Sequence, residues 1–134
     1  DYEKFPEQHC HKTAQILREK GYSEEIIRAI MSHGWGICTD VEPQSRMEKT
    51  LYAVDELTGL ITACALVRPS RSVMDLELSS AKKKYKDARF AAGASREVIQ
   101  KGADILGVSI DELIVDVITA MRGIAPNLGL ELKN

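Results

Sequence analysis

Apolar residues recur at three- and four-residue spacing along most of the chain, and no segment alternates apolar with polar positions, so the pattern predicts helices and no sheet. The first helix is expected from His9 to Lys20, stopped by Gly21, with His9, Thr13, Ile16 and Leu17 facing inward and His11, Gln15 and Arg18 outward. Ser23 caps the second, which opens on Glu24 and Glu25 and carries Ile26, Ile30 and His33 on its apolar stripe before Gly34 and Gly36 break it. Ser45-Arg46-Met47-Glu48 is a capping box, and from Met47 the third helix runs to about Val67. Its expected inward stripe is Leu51, Val54, Asp55, Thr58 and Ile61, with Glu56 turned about 100° away.

Arg68 to Ser72 forms a turn-rich linker, after which Ser79 or Ser80 is placed as the cap of a short helix holding Lys82, Lys83, Lys84 and Lys86. Ser95 caps a helix to Leu106 that Gly107 ends, and Ser109-Ile110-Asp111-Glu112 is a second capping box opening a last helix to about Ile124, where Pro126 limits continuation. The expectation is an all-α, compact, short-looped bundle of about five to six helices, one domain over residues 1–134.

Composition narrows the function. A chain of 134 residues can bury a core without disulfides, and a net charge of −2 with acids and bases interspersed argues against a nucleic-acid or membrane-surface partner. A small partner is expected, with self-association left open. No apolar run reaches the roughly 20 residues needed to span a bilayer, and no signal segment opens the chain, so a cytoplasmic location is expected. Cys10, Cys38 and Cys64 are odd in number and lack CxxC spacing, so they read as reduced core filler or idle thiols. The start at Asp1-Tyr2-Glu3-Lys4-Phe5-Pro6, without Met, is expected to mark a fragment.

Three inward ionisable residues on three helices, His9, His33 and Asp55, make the candidate chemistry. Burying imidazole and carboxylate without partners is costly, and a shared divalent ion (Fe, Mn, Ni, Zn or Mg) would offset that cost. The alternatives are hydrogen-bonded core histidines and an Asp55 paired with Arg46 or Arg28. The lysine run is either a solvated helix face or, through Lys83 and Lys86 together with Arg96, a set of phosphate clamps at a pocket rim. Trp35, beside Gly34 and Gly36, either lines that pocket for stacking or packs on the core.

The segments Pro6-Glu7-Gln8-His9, Ala14-Gln15-Ile16-Leu17, Ile26 to Gly34 (IIRAIMSHG) and Leu51 to Leu57 (LYAVDEL), in that order, resemble the HD-domain superfamily of metal-dependent phosphohydrolases, specifically small HDIG-type hydrolases. The resemblance covers residues 1–66 as a remnant of the family core, and implies that 67–134 are a C-terminal helical extension packed on it. It implies that His9, His33 and Asp55 hold metal, Asp55 as the closing aspartate of the family pattern, and that the substrate is a nucleotide or other small phosphate ester. The chain departs from the pattern in lacking the first-helix histidine and the His-Asp dyad. It therefore looks N-terminally truncated and is expected to be catalytically impaired. The competing expectation is an inactive HD-like helical module that senses a ligand or binds an anionic partner.

Overall fold

The computed structural model describes residues 4–5 and 7–132; Asp1, Tyr2, Glu3 and Pro6, part of the abrupt opening, lie outside the described residues. Seven helices and no strand are found among the described residues: α1 (His9–Glu19), α2 (Glu24–His33), α3 (Arg46–Leu66), α4 (Leu78–Lys86), α5 (Arg96–Leu106), α6 (Ile110–Gly123) and the single turn α7 (Ala125–Leu128). The all-α expectation holds. No helix among the described residues is long and apolar enough to cross a membrane. The chain divides into two compact units, Asp1–Tyr52 and Ala53–Asn134, with the division falling inside α3.

In the first unit α1 and α2 pack together as a hairpin turning through Gly21, whose φ of +76° no β-carbon favours. Ser23 caps α2 by accepting from the Ile26 amide. The inward faces are rotated by about one residue from the expected stripes. On α1 the buried side is Cys10 and Ala14, while Ile16 is 39% exposed; on α2 it is Ile27, Ala29 and Ser32, while Ile26 is 43% exposed. Small residues on these sides let paired helices approach closely, and that decides the arc when apolar residues flank it on both sides.

The Ser45 box forms as expected: Ser45 Oγ accepts from the Glu48 amide at 3.2 Å, and Glu48 Oε2 accepts from the Ser45 amide at 3.0 Å and the Gln44 amide at 2.6 Å. Glu48 is only 4% exposed, with Arg28 Nε 3.1 Å from its other oxygen. Burial alone would push this carboxyl up, but the two amides and Arg28 outweigh it and hold it below its ordinary value. A carboxyl lowered by folding adds stability above its unfolded value of about 4.3, and that contribution is lost as pH falls through the folded value. Glu48→Gln should therefore destabilise the protein at neutral pH by about 1–3 kcal/mol, with the gap to wild type closing as denaturation is repeated toward about pH 3. A gap independent of pH would refute this role.

In the second unit α3 contributes Ala53, Leu57, Leu60, Ile61, Cys64 and Ala65 to a core completed by residues such as Ile99, Ala103, Leu113, Ile114 and Ile118. Burial pushes the Cys64 thiol up to about 11, in keeping with core filler. The helix start before the lysines differs from expectation: α4 begins at Leu78 with Glu77 at the cap position and no side-chain cap, so Ser79 and Ser80 lie inside its first turn and Ala81 is buried. Ser95 and Ser109 do cap α5 and α6, the latter with the full reciprocal box, and Gly107 ends α5 at φ +78°. Pro126 opens α7 rather than extending α6. The Leu130 carbonyl accepts from the Val73 amide at 3.0 Å and the Ser72 hydroxyl at 2.7 Å, joining residues 58 apart.

Candidate metal centre

His9 and His33 lie at equal distances, twelve residues, on either side of Gly21. An antiparallel helical hairpin places such positions opposite one another, and His9 opens α1 where His33 closes α2. Their Nε2 atoms are 3.2 Å apart and their rings tilt by 51° at a centroid distance of 5.3 Å. His33 Nδ1 sits against the Ile30 carbonyl. A carbonyl only accepts, so Nδ1 carries the proton and Nε2 is left as the acceptor or ligand nitrogen.

Two thiols complete the cluster. Cys10 Sγ is 3.4 Å from His9 Nε2 and 3.9 Å from His33 Nε2. Cys38 Sγ is 3.0 Å from Cys10 Sγ and 4.0 Å from His9 Nε2. The 34–39 turn brings Cys38 back: the Ile37 and Cys38 amides both donate to the Gly34 carbonyl at 2.9 Å. Gly34 leaves room for both sulfurs, because a β-carbon on it would meet Cys38 Sγ at 2.5 Å and Cys10 Sγ at 2.6 Å and push the thiols from these positions. Ligand atoms of His9, Cys10 and Cys38 all lie within 4.8 Å of one another, a group that could hold a metal ion. Thiolate and imidazole donors suit ions such as Zn, Fe and Ni, whereas Mg takes oxygen ligands that this group does not offer. Cys38 also lines an open hollow of about 700 Å³ with Glu7, His11, Ile37, Thr39 and Asp40, which provides an entry path.

The structure brings together His9 and His33 but changes the account of the other expected residues. Asp55 belongs to the second unit and is exposed; its neighbour Glu56 is the half-buried acid, accepting from the Ser95 amide at 3.3 Å and raised chiefly by burial. Of the expected stripe on α3 only Ile61 is fully buried; apolar residues cover most of that helix, and the arc chosen joins Ile61 to Leu57 and Leu60. Arg28 is paired with Glu48, not with Asp55. Arg96 is half-buried and donates to the carbonyls of Tyr85 at 3.2 Å, Ala91 at 2.8 Å, Ala94 at 2.7 Å, and of Lys84, Asp87 and Phe90. Its five N–H groups are committed to backbone, which displaces the expected phosphate clamp.

Lys83 and Lys86 are exposed, whereas Lys82 pairs with Asp111 at 2.6 Å and Lys84 lies 4.7 Å over the Phe90 ring. Trp35 is half-buried with its ring 5.8 Å from that of Tyr52, a packed rather than projecting indole. Sequence reasoning missed Cys10 and Cys38. The signal was present in Cys10 following His9 and in Cys38 lying just past His33, once the hairpin is folded about Gly21.

No protein-family model, curated protein or solved structure matches the chain.

Proposed function

We propose that the chain acts as a metal-dependent phosphohydrolase of the HD type on a nucleotide or other small phosphate ester, with His9 and His33 as imidazole ligands. The observation that carries this is the facing pair of Nε2 atoms at 3.2 Å on separate helices, one of them oriented by the Ile30 carbonyl. A divalent ion there would supply Lewis acidity toward a phosphoryl oxygen. The residues of the chain hold and orient: the hairpin sets His9 opposite His33, and the Ile30 contact keeps the His33 tautomer from changing. Lys83 and Lys86 are exposed on the second unit, where their charge suits an anionic group. Cys10 and Cys38, neither joined in a disulfide, suit a reducing, cytoplasmic setting.

A second reading, a catalytically silent helical module for an anionic partner, is favoured by the same exposure of Lys83 and Lys86 and by the exposed position of Asp55. Assaying the full chain for phosphate release from nucleotides and phosphomonoesters separates the two. Slow, chelator-sensitive release is expected, reduced at least about 100-fold by His9→Ala or His33→Ala. Metal-loaded protein that releases no phosphate, yet binds nucleotide through Lys83 and Lys86, would replace the hydrolase with the binding module.

A further inference from the structure

We infer that Cys10 and Cys38, with His9, form a site for one thiophilic divalent ion of the zinc class, with His33 facing the fourth position. This deepens the metal reading above and shares its His9 ligand, but it needs no turnover to stand. The geometry supports it directly. A tetrahedral zinc ion with Zn–S of about 2.3 Å and Zn–N of about 2.0–2.1 Å separates its ligand atoms by roughly 3.4–3.8 Å. The separations here are 3.0 Å for the two sulfurs, 3.4 and 4.0 Å from each sulfur to His9 Nε2, and 3.2 Å between the imidazoles. All fall within about an ångström of the tetrahedral values. The pair needing most adjustment is Cys10 and Cys38, and Cys38 borders the open hollow into which its sulfur can shift.

Three further features point to a built site. The sulfurs share the bare face of Gly34, where a β-carbon would displace them. The turn carrying Cys38 is tied to the Gly34 carbonyl by the amides of Ile37, Cys38 and Thr39. His33 has its outer nitrogen fixed on Ile30, the arrangement that orients a metal-ligating imidazole. Three protein ligands, His9, Cys10 and Cys38, leave a fourth position beside the His33 imidazole. The donor set selects the ion: two thiolates disfavour Mg and Ca, which take oxygen.

The test uses the full, reduced chain stripped of metal and titrated with Co²⁺ and then Zn²⁺. One Co²⁺ per chain should give a near-ultraviolet thiolate charge-transfer band, displaced by Zn²⁺, and Zn²⁺ but not Mg²⁺ should raise the melting temperature. Cys10→Ser and Cys38→Ser should each lose about half the band and weaken Zn²⁺ binding at least about 100-fold, while His33→Ala should retain the band. Slower reaction of Cys38, the one thiol of the three that is not buried, with a thiol reagent when Zn²⁺ is present provides a second readout without any variant. Co²⁺ bound without a thiolate band would overturn the thiolate site while leaving a histidine-bound hydrolytic ion intact. Failure to bind Zn²⁺ with the thiols reduced would also overturn it. An intact band in a protein that releases no phosphate would support this site and remove only the hydrolase.

Discussion

Gly102→Ala should destabilise the second unit by about 3 kcal/mol or more, the larger end of what overpacking a core costs. A β-carbon at Gly102 would lie 2.5 Å from the Ala53 Cα, 2.9 Å from its Cβ and 3.3 Å from its amide nitrogen. Those are largely backbone atoms of α3, so no rotamer change relieves the clash and one of two buried helices must move. The intrinsic gain of alanine over glycine in a helix, about 1 kcal/mol, is too small to offset it. Gly59 supplies the control: it also lies within α3, but a β-carbon there meets nothing within 4 Å. Chemical denaturation should show Gly59→Ala neutral or stabilising by up to about 1 kcal/mol. Equal effects at the two glycines would refute the close approach.

Arg96→Ala should cost about 3 kcal/mol and loosen residues 84–94, because one guanidinium gathers the carbonyls of the whole connection between α4 and α5. Hydrogen exchange across that segment should accelerate well beyond the global change, and Arg96→Lys should not restore protection, since an ammonium cannot span the same fan of acceptors. Unchanged exchange in 84–94 would show that the connection holds itself. Arg96 is thus a fastener for a loop, a role that its position beside a lysine-rich helix does not suggest.

What could be read from the chain beforehand was the chemistry that acts over three or four residues. The caps at Ser23, Ser45, Ser95 and Ser109 all form, because a hydroxyl and an amide three positions apart meet wherever a helix begins. Ser79 and Ser80 fail the same test because Ala81 is drawn into the core, pulling the helix start back to Leu78. Inward faces were harder. On α3 apolar residues leave no narrow stripe, so Asp55 and Glu56 exchange places relative to expectation, and only packing against other helices decides which arc is buried. His9 and His33 were grouped with Asp55 around a shared ion, whereas the relationship the structure gives them lies in symmetry about Gly21. Cys10 and Cys38 were set aside as core filler or idle thiols because motif spacing along the chain was the criterion, and their proximity arises only after the hairpin and the Gly34 turn have folded.

The paired bonds onto the Leu130 carbonyl also bear on synthesis. Leu130 is 3% exposed and holds Ser72 and Val73, so the second unit cannot close until residue 130 has left the ribosome. The cysteine-histidine cluster joins residues no more than 29 apart and lies wholly within the first unit. On the emerging polypeptide, these side chains can therefore come together before completion of the core that follows them.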